Sequence, residues 1–186
     1  MPTWSNIYII VMQKQDNIHI ESLKTKHVLL FFTGLDISDE DIFILKPIYE
    51  KISKELDQYK IMWIPIVEQW TEEIEKQFEG LGKQFEELGF KMPSWYTVRR
   101  LSAVPSIKYI KEQWHFENRP IVVVLNPQGI VEHQNAFRMI TVWGTEAFPL
   151  TIENEKKLST GKNWFIYFMY DISQEVSTLV KLFSQI

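Results

Sequence analysis

The chain has 186 residues, of which 45% are apolar and 14% aromatic, enough for one packed domain. Its 20 basic and 24 acidic residues give a net charge of −4, which excludes the broad basic surface that nucleic-acid binding requires. Because cysteine is absent and the four histidines lack metal-ligand spacing, disulfide bonds, thiol catalysis and a metalloenzyme are not expected.

The first part of the chain contains apolar runs separated by helical patterns. The run Ile7–Met12 is too short to cross a bilayer, and no secretory signal accompanies it. Three later runs predict strands buried on both faces: His27–Phe32, Tyr59–Val67 and Pro120–Asn126. Apolar residues at helical spacing predict helices over Ile42–Leu56 and Ile74–Leu88, the second weakened or split by two glycines, and a third helix after Pro105. This alternation predicts parallel crossovers and an α/β sheet with helices on both faces.

The last third of the chain begins with a turn and ends in a polar segment. Asn126–Gly129, Asn-Pro-Gln-Gly, is typical of a turn, so the next residues are expected to return antiparallel and make the sheet mixed. After Thr151 the chain becomes polar and rich in lysine. We therefore predict a domain over residues 1–151, with its core at about 18–151, a polar linker over 152–163, and an aromatic segment over 164–186 that packs as an extension or starts another domain.

Four segments in chain order resemble tryparedoxin- and nucleoredoxin-type thioredoxin folds: Ile18–Gly34, Ile61–Glu68, Met92–Val98 and Arg119–Val131. Together with the segment Asn135–Thr151, "NAFRMITVWGTEAFPLT", they look like the central thioredoxin-like region of plant sieve-element occlusion proteins, which include the subunits of legume forisomes. The resemblance implies a thioredoxin-like α/β fold with a mixed central sheet flanked by helices on both faces. Family members are much longer, so the chain is expected to be an excised middle domain or a shortened relative.

The corner after the first long strand lies where a thioredoxin would carry its two redox cysteines. By resemblance to tryparedoxins, Ile37 and Glu40 occupy those positions, and neither can exchange disulfides. A thioredoxin uses the helix N-terminus to lower the pKa of its thiol. Here the run "SDED" predicts Ser38 as the helix N-cap with Asp39 and Asp41 in the first turn. The corner is therefore expected to stabilise a helix, and the protein is not expected to be an enzyme.

The same corner raises two further hypotheses. Asp36, Asp39 and Asp41, together with Ser38, offer oxygen ligands for calcium, but the spacing lacks the glycine and bidentate glutamate of an EF-hand, so helix capping is favoured. Pro120 falls where thioredoxin folds keep a cis-proline beside this corner. By resemblance we expect a cis bond before Pro120, although trans is the commoner state of such bonds. Without thiols, this proline would be a remnant of a substrate-docking site.

The tryptophans are expected mainly in the core and at interfaces. Trp95 in "MPSWYTV" and Trp143 in "WGTEAFP" mark two candidate association surfaces. The resemblance implies a structural phloem protein in the sieve-element cytoplasm that assembles with itself and related subunits into filaments or bodies, plugs sieve elements after wounding, and responds to calcium as a full-length assembly.

Two alternatives stay open. One is a thioredoxin- or tryparedoxin-type oxidoreductase whose cysteines were removed, although carboxylates beside a thiol would raise its pKa. The other is a non-catalytic adaptor that binds peptides across the Pro120 groove. No cofactor, nucleic acid or membrane is expected as a partner.

Overall fold

The computed structural model describes residues 23–91, 94–98, 104–117 and 119–161, together with 165, 169, 172 and 173. The described strands are β1 (His27–Thr33), β2 (Tyr59–Pro65), β3 (Trp95–Thr97), β4 (Ile121–Leu125) and β5 (Val131–His133). The described helices are α1 (Asp39–Glu55), α2 (Glu72–Glu87), α3 (Val104–Gln113), α4 (Phe137–Trp143), a 3₁₀ turn (Gly144–Ala147) and α5 (Ile152–Ser159). The three predicted buried strands are confirmed as β1, β2 and β4.

The strands form one mixed sheet in the order β3-β2-β1-β4-β5. β1, β2 and β3 are parallel to one another, β4 runs antiparallel to β1, and β5 pairs antiparallel with β4. The turn at Asn126–Gly129 and the antiparallel return are confirmed. The expectation that β4 follows a parallel crossover is wrong, because an apolar run predicts burial but carries no information about strand direction.

Two apolar clusters lie on the two faces of the sheet. Along β1, Leu29 and Phe31 belong to one cluster, which includes buried residues of α1, α2 and α4. Leu30 and Phe32 belong to the other, which includes buried residues of α3. Successive strand residues point to opposite faces, so a strand covered on both faces shows an unbroken apolar run. The predicted placement of helices on both faces is confirmed.

Helix α2 runs without a break through the two glycines that were expected to weaken or split it. Gly80 is exposed and Gly82 is partly buried, whereas Phe78 and Phe85 on the same helix are buried against the sheet. The rings of both phenylalanines lie against Trp63, with centroids 5.3 and 4.8 Å away. The burial of these rings outweighs the cost of glycine in a helix, about 1 kcal/mol at each position.

Helix α5 forms within the segment predicted as a polar linker. Thr151 caps it by accepting the backbone N–H of Asn154 at 3.2 Å. The Asn154 side chain donates to the carbonyl of Ala147 at 3.0 Å, and Glu155 Oε2 lies 3.1 Å from Nε2 of the buried His133. Residues 152–159 are thus attached to the sheet, while the division into 1–151, 152–163 and 164–186 stays a prediction.

Among the residues that the model describes, no helix is both long and apolar enough to cross a membrane.

Candidate functional site

The corner between β1 and α1 begins at Thr33, the last residue of the strand. Thr33 is fully buried, and its Oγ1 accepts a hydrogen bond from Trp63 Nε1 at 2.9 Å. Its carbonyl accepts the backbone N–H of Ile66 at 2.8 Å. The next residue is Gly34, where a Cβ atom would lie 2.3 Å from Oδ1 of Asp36. The Asp36 side chain therefore folds back over the glycine, and any larger residue there would displace it.

Ser38 occupies the predicted N-cap position of α1, with φ −79° and ψ 154°. Its Oγ accepts the backbone N–H of Asp41 at 3.2 Å and donates to Oδ2 of the same residue at 2.7 Å. Ile37, directly before the cap, packs against the core cluster that contains Ile42. An apolar residue before the cap and another at the fourth helical position make the arrangement of a hydrophobic staple. The corner therefore carries a side-chain cap and an apolar residue on the core side of it, both of which favour a helix start.

The side chains at the two positions compared with redox cysteines differ in exposure. Ile37 is partly buried, whereas Glu40 is exposed in the first turn of α1. Neither side chain carries a thiol, so neither can attack a disulfide. In an active thioredoxin, the amides of this helix N-terminus stabilise a thiolate. Here the Ser38 oxygen already accepts one of those amides, and three carboxylates surround the positive end of the helix dipole.

The three candidate calcium ligands are engaged separately. Asp36 folds over Gly34, Asp41 accepts a hydrogen bond from Ser38, and Oδ1 of Asp39 accepts one from Gln84 Nε2 at 2.8 Å. Within the described ranges, no group of three or more histidine or acidic side chains is arranged to hold a metal ion. The structure thus does not bring Asp36, Asp39 and Asp41 together as a calcium site. The bond from Gln84 instead ties the start of α1 to α2.

Pro120 does not have the expected conformation. In the described part of the chain, the cis peptide bond is Phe148–Pro149, and Arg119–Pro120 is not cis. The cis expectation for Pro120 is therefore wrong. Pro120 directly precedes β4, and a trans proline at the start of a strand is the commoner arrangement.

The two tryptophans chosen as interface candidates are buried. Trp95 is 5% exposed and Trp143 is 6% exposed. The ring centroid of Trp95 lies 4.7 Å from that of Phe90 and 4.9 Å from that of Phe85. The expectation that these two side chains form an exposed association surface is wrong. Trp95 also packs against Phe31 of β1 and Tyr49 of α1, with ring centroids 6.4 and 6.5 Å away, and both residues are distant from it in sequence. β3, which contains Trp95, does lie at one end of the sheet order.

Two side-chain networks were not found from the sequence. Hydrogen bonds and charge from Lys26 and Lys60 lower the pKa of the exposed Asp57 to about 2. At the other network, His27 stacks on Tyr59, with centroids 4.6 Å apart, and its Nδ1 lies 3.0 Å from Glu132 Oε2. Burial, with a smaller effect of Glu132, raises the pKa of Tyr59. His27 and Glu132 are 105 residues apart, so no local pattern could have indicated their contact, whereas Asp57 and Lys60 are only three residues apart.

Comparison with solved structures identifies the fold. Tryparedoxin II from Crithidia fasciculata is 14% identical and superposes with a TM-score of 0.57 over 81% of this chain and 97% of that chain. Native tryparedoxin I from Crithidia fasciculata is 18% identical, with a TM-score of 0.52 over 71% of this chain and 84% of that chain. At such low identity the likeness shows the fold alone. The chain is a thioredoxin-like α/β protein without cysteine.

Curated proteins include relatives whose sequences are more similar to this chain than those of the tryparedoxins. Protein SIEVE ELEMENT OCCLUSION A of Arabidopsis thaliana is 32% identical over 157 residues, which are 83% of this chain and 18% of the relative. Protein SIEVE ELEMENT OCCLUSION B of Arabidopsis thaliana is 35% identical over 151 residues, which are 76% of this chain and 20% of the relative. No protein-family model matches the chain.

The resemblance predicted from the sequence is confirmed: the chain is a thioredoxin-like relative of the sieve element occlusion proteins. It spans about a fifth of the length of these relatives.

Proposed function

We propose that the chain is a non-catalytic, structural thioredoxin-like module of a sieve-element occlusion protein, acting through assembly and not through thiol chemistry. The β1–α1 corner carries this proposal. Ile37 and Glu40 stand at the positions compared with redox cysteines, and Ser38 caps the helix whose N-terminus would activate a thiol. The names of the relatives support a role in sieve elements of the phloem.

The chemistry of the corner supports the non-catalytic part of the proposal. Thiol–disulfide exchange proceeds by attack of a thiolate on a disulfide, so it needs a cysteine that this chain lacks. The first-turn acids Asp39, Glu40 and Asp41 would raise the pKa of any thiol placed beside them. The local charge is thus arranged for helix stability and against thiol activation.

The assembly part of the proposal follows from the relatives. In our proposal, the full-length protein assembles with copies of itself and with related occlusion subunits, in the sieve-element cytoplasm, into filaments or bodies that plug sieve elements after wounding. Calcium acts on that assembly and not through the Asp36–Asp41 corner. Because this chain spans about a fifth of each relative, its own share is one rigid folded unit that presents contact surfaces.

The test is the molar mass of the 186-residue chain by size-exclusion chromatography with light scattering, over a concentration series. Each concentration is measured with calcium and again with a chelator. We expect the mass to grow with concentration. A mass that stays monomeric in both conditions would show that this chain does not self-associate and would contradict the assembly role for it.

The two alternatives gain no support from the corner. The acids disfavour an oxidoreductase that lost its cysteines. The peptide adaptor depended on a thioredoxin-like groove at Pro120, and the bond before Pro120 is not the cis bond expected there.

A further inference from the structure

An exposed aromatic residue lies among unpaired acids near the start of α1. Phe43 is 66% exposed, the largest exposed fraction among the large apolar side chains that the structure describes. Asp36, Asp39 and Glu40 are also exposed and lie within about two turns of it. We call these four residues the acidic patch. Phe43 therefore offers an exposed apolar side chain bordered by negative charge.

A second exposed apolar residue begins α5, beside the exposed Glu153 and one turn before two lysines. Ile152 is 44% exposed, and the exposed Lys156 and Lys157 follow in the last turn of the same helix. We call these three residues the basic patch. The contacts of Asn154 with Ala147 and of Glu155 with His133 hold α5 against the fold, so this patch has a fixed place on the molecule.

The charges of both patches lack partners of opposite charge among the residues that the structure describes. Elsewhere in the described residues, lysines and acids pair, as in Lys26–Asp57 at 2.7 Å and Lys111–Glu68. By contrast, Asp36, Asp39 and Glu40 form no ion pair with any residue that the structure describes, and the same holds for Lys156 and Lys157. Gln84, which donates a hydrogen bond to Asp39, carries no charge, so this contact does not neutralise the carboxylate. Both sets of charges are therefore available to another molecule.

The two patches have matching helical spacing when the helices run antiparallel. Phe43 lies four residues after Asp39, and Lys156 lies four residues after Ile152, so each pair is separated by about 6 Å along its helix axis. In an antiparallel arrangement, Phe43 faces Ile152 while the first-turn acids of α1 face Lys156. The antiparallel helix dipoles add to this attraction. In a parallel arrangement, the acids and the lysine would lie at opposite ends of the contact.

Resting on the proposed assembly function, we propose that the acidic patch of one copy docks on the basic patch of a second copy. The two surfaces are different, so the contact is heterologous. A row of copies joined by this contact keeps one unused acidic patch at one end and one unused basic patch at the other. Such contacts continue into an open chain of copies unless the rotation between neighbours closes a ring.

Charge reversal tests this contact directly. The variants are Glu40→Lys in the acidic patch and Lys156→Glu in the basic patch. The matched control is Glu73→Lys, because Glu73 is an exposed acid at the second position of α2, as Glu40 is in α1. Each patch variant alone places like charges across the contact. We expect the concentration needed for assembly to rise about tenfold or more for either variant, and to stay unchanged for the control.

An equal mixture of the two patch variants gives the decisive result. The acidic patch of one variant then meets the basic patch of the other with opposite charges, in both possible pairings. We expect the mixture to assemble at the concentration that the unmodified chain requires. Phe43→Ser tests the apolar half of the contact and should also raise that concentration. Circular dichroism of every variant should match that of the unmodified chain, since all four positions are exposed.

The outcomes separate this contact from the proposed function. Assembly of the unmodified chain and of both single variants at equal concentrations would overturn the contact and leave the assembly function in place. A loss caused by Glu40→Lys and Phe43→Ser, with none caused by Lys156→Glu, would mean that the acidic patch docks elsewhere and would also overturn the pairing. An unmodified chain that stays monomeric overturns both proposals.

Discussion

Replacing Ser38 by alanine tests whether the β1–α1 corner is built for helix stability. The hydroxyl accepts the backbone N–H of Asp41 at 3.2 Å and donates to the Asp41 carboxylate at 2.7 Å, and alanine removes both bonds. Loss of an N-cap side chain costs about 0.5–2 kcal/mol, and the exposure of this site places the expected loss near the middle, at about 1 kcal/mol in the free energy of unfolding. For a chain of this length, that corresponds to a fall of about 2–4 °C in the melting temperature.

Urea unfolding followed by circular dichroism measures the loss, with two further variants for comparison. Ser38→Asp keeps an oxygen acceptor for the Asp41 amide, so most of the stability should return. Thr71→Ala removes the N-cap of α2, whose Oγ1 accepts the backbone N–H of Ile74 at 3.3 Å, and should cost a similar amount. The cap interpretation of the corner fails if Ser38→Ala is as stable as the unmodified chain while Thr71→Ala is clearly destabilised.

Three further predictions follow from burial and charge. In urea unfolding, Trp95→Ala should lower the free energy of unfolding by about 3–5 kcal/mol, because Trp95 is buried, whereas Phe43→Ala should change it by less than about 0.5 kcal/mol, because Phe43 is exposed. Equal effects would contradict the burial of Trp95 and the exposure of Phe43. The double variant Ile37→Cys, Glu40→Cys should reduce insulin disulfides far more slowly than a thioredoxin, and comparable rates would favour the oxidoreductase alternative. The pKa of Asp57 is lowered from 3.8 to about 2, so its stabilising contribution is present above about pH 4 and is lost as the pH falls towards 2. Asp57→Asn should therefore flatten the pH dependence of the urea midpoint in this window. An unchanged slope would show that other groups cause the pH dependence.

The parts of the fold that could be predicted have local causes. β1, β2 and β4 are unbroken apolar runs because both faces of each strand are covered. The Asn126–Gly129 turn follows from residues that act within four positions, with Asn126 Oδ1 accepting two nearby amides. Ser38 as N-cap is equally local, since the hydrogen bond spans three residues. The family resemblance likewise rests on segments of this kind that follow one another in the family's order.

The parts that could not be predicted depend on contacts between distant residues. Trp95 has the pattern of an edge-strand aromatic, and its packing against Phe31 and Tyr49, both more than 40 residues earlier, helps to make it a core residue. The segment 152–159 is polar in composition, yet it is attached to the sheet, because Glu155 meets His133, about twenty residues earlier. In both cases the sequence shows the character of a side chain correctly but does not show what covers it.

The acids at the start of α1 connect the absence of cysteine with the proposed contact. A corner that holds a reactive thiolate must keep carboxylates away, because each one raises the pKa of the thiol. Without a thiol that restriction ends, and an acid in the first turn stabilises the helix by about 0.3–1 kcal/mol. The same acids then surround Phe43 with charge that no described residue neutralises. In our proposal the thioredoxin-like frame is therefore kept for its rigid sheet, while the corner changes from a site that attacks disulfides to a surface that holds another copy.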